Sequence, residues 1–270
     1  MQRRKFIKVL SILGWSSLVS DNGWAGFGNV VTSEQSHFTV QQHATLPEGL
    51  RPPKVGVIAV GGAACSMLRE LHGRLPNLHR SIAIDKSCRA LASSAAEHKL
   101  MLRLKQRGKV QADISVAPSI SDAQWKELDN LIRGLDLVFI VSGLGGVAGS
   151  TVAPLVAERL TQNHVFNVAI AVLPFSYEGN RRISASHSAL KALQSKALLT
   201  FPISNQALAD KYPDSTLIDY ILGLADDEFA TIYKLILEPL SQDSITGFEL
   251  ESARMCLSKR GLGIYRAALL

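Results

Sequence analysis

From Lys54 onward, uninterrupted apolar runs alternate with segments whose apolar residues recur every three or four positions. Val55-Gly56-Val57-Ile58-Ala59-Val60 is one such run, the pattern of a strand buried on both faces. Gly61-Gly62-Ala63-Ala64-Cys65-Ser66 follows it, and Met67, Leu68, Leu71 and Leu75 then mark the inward stripe of a helix. Ser81-Ile82-Ala83-Ile84 predicts a second strand, ending at Asp85. Ser121-x-x-Gln124 is a capping box, opening a helix with Trp125, Leu128, Leu131, Ile132 and Leu135 on one face. Leu137 to Val141 reads as a strand, Ser142 to Thr151 as a Gly-rich loop, and Val152 to Gln162 as a helix with Pro154 tolerated in its first turn. Val165 to Leu173 is the longest strand run, Gly179 to Lys196 a helix, and Ala197 to Phe201 a last core strand. This alternation predicts an α/β fold with a doubly wound, mostly parallel, Rossmann-like sheet.

Upstream of Lys54 the pattern changes. Residues 1–28 read as a targeting or anchor segment: Met1 to Lys8 is basic, Val9 to Val19 is apolar but broken by serines, and Asp21 to Gly28 is rich in Gly and Trp. The apolar run falls short of the ~20 residues that span a bilayer. Gln2-Arg3-Arg4-Lys5-Phe6-Ile7-Lys8 resembles the twin-arginine export motif, with Gly23-Trp24-Ala25 as a small-x-small cleavage site. The competing reading is an amphipathic helix lying on a membrane through Phe6, Val9, Leu10, Leu13 and Trp15. Residues 29–53 are polar, with Pro47 and Pro52-Pro53, and read as a linker. The main domain is expected over residues 54–240, followed at 241–270 by an acidic loop, a helix and the start of a second domain.

Charge and cysteines narrow the function classes. A net charge of +6 invites nucleic acid or an anionic membrane surface as partner. The basic residues are scattered, however, with small knots at Arg3-Arg4-Lys5, Arg103 to Lys109 and Arg181-Arg182, and no aromatic-interleaved stripe accompanies them. Nucleic acid is not expected. Cys65, Cys88 and Cys256 form neither a C-x-x-C pair nor a disulfide framework, and their odd number leans towards reduced thiols in a cytosolic compartment. The histidines lack metal-ligand spacing, so no protein metal site is expected.

Two Gly-rich loops stand at the carboxyl ends of strands, where open parallel sheets bind ligands. Backbone N–H groups there, with the positive end of the following helix, suit phosphate oxygens. Neither loop fits G-x-x-x-x-G-K-[ST], and Gly61-Gly62-Ala63 does not continue as G-x-G-x-x-G.

The order of these segments resembles the FtsZ branch of the tubulin superfamily. Val57 to Ser66 is similar to that family's first phosphate loop, and Phe139 to Thr151 to its Gly-rich signature loop. Leu173 to Arg182 resembles the segment that carries a ribose-contacting Glu and a nucleotide-contacting Arg. Leu198 to Asn205 resembles the strand and turn presenting an Asn to guanine, and Ser215 to Asp227 the start of the long central helix whose Asp recognises the base. The resemblance implies GTP or GDP as ligand, with Mg²⁺ as an accompanying ion. The nucleotide residues it implies are Gly61, Gly62, Ala63, Ala64 and Cys65, then Gly143, Gly145, Gly146, Val147, Ala148, Gly149 and Ser150, then Glu178, Arg182, Asn205 and Asp226. Two alternatives stay open: Glu178 and Arg182 as an ordinary i,i+4 ion pair, and Asn205 as a plain turn residue.

The sequence also departs from the family. Ala63, Ala64 and Cys65 replace glycines of the first loop, which adds side chains where backbone approaches phosphate; Val147 and Ala148 replace Gly and Thr of the signature. The stretch Thr246 to Ser252 resembles the acidic loop that enters a neighbour's site and polarises the attacking water. Glu249 stands for its first acid and is the expected catalytic residue; Ser252 occupies the place of the second. Met255 to Leu270 resembles the entry to the family's second domain, most of which is not in this sequence. The implied function is a membrane-associated GTP-binding protein with weak hydrolysis, serving cell division or membrane remodelling at the cytoplasmic face. Self-association or a membrane protein partner goes with it. The alternative is a pseudo-GTPase scaffold, exported if the twin-arginine segment is used.

Overall fold

The computed structural model describes residues 52–102, 120–212, 217–240 and 261–262. The amino-terminal segment, most of the linker, and the residues around Glu249 and Ser252 lie outside them.

The described strands are β1 (Val55–Val60), β2 (Leu78–Asp85), β3 (His98–Met101), β4 (Leu137–Gly143), β5 (Phe166–Leu173), β6 (Leu199–Ser204) and β7 (Gly261–Leu262). They pair in the order β3-β2-β1-β4-β5-β6-β7, every pair parallel. The helices are α1 (Gly62–Glu70), α2 (Cys88–Ser93), α3 (Asp122–Ile132), α4 (Val147–Gln162), α5 (Asn180–Lys196), α6 (Asn205–Lys211) and α7 (Ile218–Leu237).

Side-chain alternation on the central strands explains the two-sided core. Val55, Val57 and Ala59 of β1 and Leu137, Phe139 and Val141 of β4 pack with α1, α2 and α7 on one face. Ile58, Val60, Val138 and Ile140 point the other way, onto α3, α4 and α5. Both faces are therefore dry, as a parallel sheet wound with helices on each side requires. Tyr233 of α7 is buried against Phe139 and Phe229, and its hydroxyl donates to the Pro76 carbonyl at 2.9 Å, tying α7 to the turn beyond α1. On the opposite face Arg159 of α4 grips Asp129 of α3 through Nε at 2.8 Å and a second nitrogen at 2.5 Å, which holds the Asp129 carboxyl below the usual range.

Local chemistry sets the element ends. Ser121 and Gln124 close the expected capping box, Ser121 N–H donating to Gln124 Oε1 at 3.0 Å and Gln124 N–H to Ser121 Oγ at 3.3 Å. Other boundaries differ from the sequence reading. The segment Ser142 to Thr151 is not a loop throughout: β4 runs to Gly143, and α4 begins at Val147. Pro154 consequently sits well inside α4 rather than in its first turn. Strand β6 is Leu199–Ser204 instead of Ala197 to Phe201. Among the described residues its pairing with β7 involves only Leu199 and Thr200, so Pro202 interrupts no described ladder bond on that side. Short β3, α2 and α6 carry too few apolar residues to stand out by periodicity.

Candidate functional site

The strand order reverses between β1 and β4, so the chain leaves these adjacent strands towards opposite faces of the sheet. This is the topological switch point at which open α/β sheets form a crevice. Helix α1 follows β1 after one residue, Gly61, whose φ of +95° and ψ of 161° belong to a region reserved for glycine. Helix α4 follows β4 through Leu144, Gly145 and Gly146.

Both helices begin on glycine with no side-chain cap. Helices α2, α3 and α6, in contrast, are capped by Ser87, Ser121 and Ser204. In α1 the first helical bond is Cys65 N–H to Gly61 C=O, and in α4 it is Ser150 N–H to Gly146 C=O. The N–H groups of Gly62, Ala63 and Ala64, and of Val147, Ala148 and Gly149, precede those bonds and have no acceptor within their own helix. Two helix ends, each with donors that lack an acceptor in their own helix and with partial positive charge, thus meet at one point.

They meet because glycines let them. A side chain on Gly149 would overlap the Gly143 carbonyl oxygen, and one on Gly61 would stand 3.2 Å from Gly149 N. Gly146, by contrast, faces open space. Gly145 packs against the Arg182 backbone with a φ of +94°, and its N–H donates to Ser150 Oγ at 2.8 Å, so the Ser150 hydroxyl already braces its own turn.

A cleft of about 840 Å³ opens between α1 and α7 over the ends of β4 and β5. Ala63, Ala64, Gly143, Asn205 and Asp226 line it, joining expected residues from four separate segments. Cys65 does not take part with its side chain: it is fully buried in the core beneath α1, and burial, with Asp85 adding to it, pushes its thiol up to about 11. The expected crowding by substituted glycines therefore reduces to the methyl groups of Ala63 and Ala64. Glu178 and Arg182 adopt the ion-pair alternative, at 2.6 Å, while Glu178 Oε1 also accepts the Phe175 N–H at 2.8 Å. They sit beside Gly145 and not in the cleft lining.

The far end of the cleft is built from acceptors. Asn205 is the first residue of α6, 7% exposed, and its buried Oδ1 has no hydrogen-bond partner among the described residues. Asp226 on α7 is 8% exposed; burial, reinforced by Glu70 and Asp227, pushes its carboxyl up to about 7, against an opposing pull from Arg74. The sequence reading missed Glu70, Arg74, Asp219 and Asp227 in this lining. Their signal was helical spacing: Ala63, Ser66 and Glu70 form one polar stripe of α1, and Asp219, Gly223 and Asp226 one stripe of α7. Among the described residues, no group of three or more His, Cys, Asp and Glu is placed to hold a metal ion.

The sequence matches the family model "Tubulin/FtsZ family, GTPase domain" over residues 54–213. The chain belongs to the Tubulin/FtsZ family. Cell division protein FtsZ 1 of Thermococcus kodakarensis is 27% identical over 215 residues, covering 78% of this chain and 57% of the relative. The chain thus spans little more than half the length of that protein. In structure it is similar to an empty FtsZ dimer of M. jannaschii, with a TM-score of 0.67 and 23% identity over 78% of this chain and 62% of that one. CetZ2 from Haloferax volcanii, in a GTPγS-bound protofilament, gives a TM-score of 0.59 at 18% identity, over 72% of this chain and 61% of the other. The doubly wound sheet is the nucleotide-domain fold of this family, as the sequence resemblance implied.

The glycine contacts generate a paired test. Gly149→Ala should cost about 1–3 kcal/mol, because α4 must shift to relieve the overlap with Gly143. Gly146→Ala, with φ of −89° and free space around it, should stay within about 0.5 kcal/mol of the parent in urea denaturation. Equal losses for the two would show that close packing at Gly149 does not set the turn.

Proposed function

We propose that this chain binds a guanine nucleotide, with the phosphates on the amino-terminal ends of α1 and α4 and the base against Asn205 and Asp226. One observation carries the reading: two uncapped, glycine-started helix ends abut at the switch point, and the same cleft ends in a buried, unpartnered acceptor at Asn205 Oδ1. Guanine presents N–H donors at N1 and at its 2-amino group, so a pair of acceptors suits it. Adenine offers an acceptor at N1 and fits worse. Glu178 has lone pairs left for ribose hydroxyls after serving Arg182 and Phe175. The nucleotide supplies the phosphoryl group for hydrolysis, while the helix ends stabilise its charge.

Hydrolysis is proposed to be slow. In the sequence Glu249 retains one carboxylate to orient water, while Ser252 lacks the second; both lie outside the described residues. The likeness to cell division FtsZ proteins and to a CetZ2 protofilament supports a role in division or membrane remodelling through self-association. The basic and apolar start of the chain supports attachment to the cytoplasmic face of a membrane, and no helix among the described residues is long and apolar enough to cross one. A second reading, a nucleotide-binding scaffold without turnover, draws on Ser150, whose hydroxyl oxygen is engaged by Gly145 N–H.

Binding is tested by calorimetry with GTP and GDP on the full chain and on Gly146→Asp. Asp at this cap position satisfies the α4 N–H groups itself and sets a carboxylate against the phosphates. The variant should keep or gain stability and lose binding at least a hundredfold. No binding by the parent at millimolar nucleotide would refute the guanine site.

Phosphate-release assays test turnover. Glu249→Gln should lower an already slow rate at least tenfold; vigorous turnover unaffected by this change would contradict the role given to Glu249.

For the membrane, Arg3→Lys/Arg4→Lys preserves charge, so an anchor tolerates it and a translocase does not. Fractionation should find the variant and the parent alike on the cytoplasmic side. Mature protein starting near Gly26 on the far side, lost in the variant, would favour export instead.

A further inference from the structure

Asp226 is the buried carboxylate of the cleft, and among the described residues neither it nor the exposed Asp219 forms an ion pair. From α1, Arg69 and Glu70 face the cleft, and Arg69 is bound to Glu70 at 2.8 Å. From the turn beyond α1 comes Arg74, bound to Asp227 at 2.5 Å. On α7 itself Asp219 and Asp227 flank Asp226, and from α6 comes the uncharged Asn205. The lining therefore holds the carboxylates Glu70, Asp219, Asp226 and Asp227 against two arginines, Arg69 paired with Glu70 and Arg74 with Asp227. Asp226 is also the most buried of these acids, and Asn205 in the same lining offers a second acceptor, its Oδ1 without a donor among the described residues.

We propose that nucleotide binding in this cleft is proton-linked: the guanine base is held only when Asp226 is ionised, and binding expels the proton that Asp226 otherwise carries. The inference rests on the guanine reading above and adds a condition to it. A protonated Asp226 presents a hydroxyl towards the N1–H and 2-amino donors of the base, donor against donor, and so loses one hydrogen bond and the charge that strengthens it. With its carboxyl raised to about 7, the empty protein is divided between the two forms at neutral pH. The sign follows from linkage. An acid whose pKa is raised in the empty protein and lowered by a ligand binds that ligand more tightly as pH rises. Affinity should fall by up to about tenfold per pH unit below 7, and level off above pH 8.

Calorimetric titration of the full chain with GDP between pH 5.5 and 8.5, in paired buffers of different ionisation enthalpy, measures both affinity and protons released. The terminal phosphate of GDP titrates in the same range, so Asp226→Asn serves as the reference that retains the nucleotide's own contribution. The parent should show a steeper pH dependence than Asp226→Asn and release up to one additional proton near pH 7. Glu70→Gln removes a like charge, lowers the Asp226 pKa, and should move the onset of the affinity loss to lower pH. This second variant decides the matter should Asp226→Asn bind too weakly to titrate. A parent affinity with no dependence beyond the phosphate's, and an onset unmoved in Glu70→Gln, would overturn the proton linkage and leave guanine binding standing. Absence of GDP binding at every pH would overturn both.

Discussion

The first turn of α4 lies against the carbonyl oxygens of Gly143 and Val60, at a distance that only a residue without a side chain permits. Gly149 provides that approach, and much of the site geometry depends on it. It sets the start of α4 beside the start of α1, so that two sets of helix-end donors converge instead of diverging over the sheet. Gly61 completes the arrangement from the other side by bending β1 into α1 within a single residue. The helix-end part of the site is therefore made of backbone, and tolerance to side-chain replacement follows from that. Ala63, Val147 and Ala148 stand where relatives are expected to have other residues, but the groups they contribute here are N–H donors that any residue but proline supplies.

The cleft has an electrostatic direction. The amino terminus of α1 brings partial positive charge to the cleft's lining, which elsewhere carries more carboxylates than arginines and a buried amide oxygen. A ligand that is anionic at one end and rich in N–H donors at the other is oriented before any specific contact forms. The same asymmetry explains the unequal states of the acids. Glu178 and Glu70 are paired with arginines. Asp226 is buried, and that burial, reinforced by Glu70 and Asp227 and opposed by Arg74, raises its carboxyl.

How much of this was legible in the sequence depended on the length scale of the signal. The doubly buried strands β1, β4 and β5 announce themselves as apolar runs, and the capping box at Ser121 and Gln124 is local chemistry that survives folding unchanged. The ends of α4 and β6 were misread because glycine and proline have meaning only in tertiary context. Gly149 looks like a loop residue in sequence and serves as a packing residue in a helix; Pro202 looks like a strand terminator and lies within β6, past its described pairing with β7. Within the site, Asn205 and Asp226 were found through motif resemblance, and the side chain of Cys65 was misplaced because α1 begins at Gly62 and rotates it into the core. The pairing of Arg74 with Asp227 joins the turn beyond α1 to α7, and no local pattern encodes it.

The two cross-ties between the α1 region and α7 differ in their exposure to solvent. Tyr233 is buried where it reaches Pro76, whereas Arg74 and Asp227 are about half exposed at the cleft mouth. The first behaves as a hinge pin, indifferent to the bathing electrolyte. The second is a clasp that salt weakens, since exposed ion pairs are screened. Raising ionic strength therefore loosens the tie at the lip and leaves the buried one unchanged, so the two cross-ties answer to different properties of the medium.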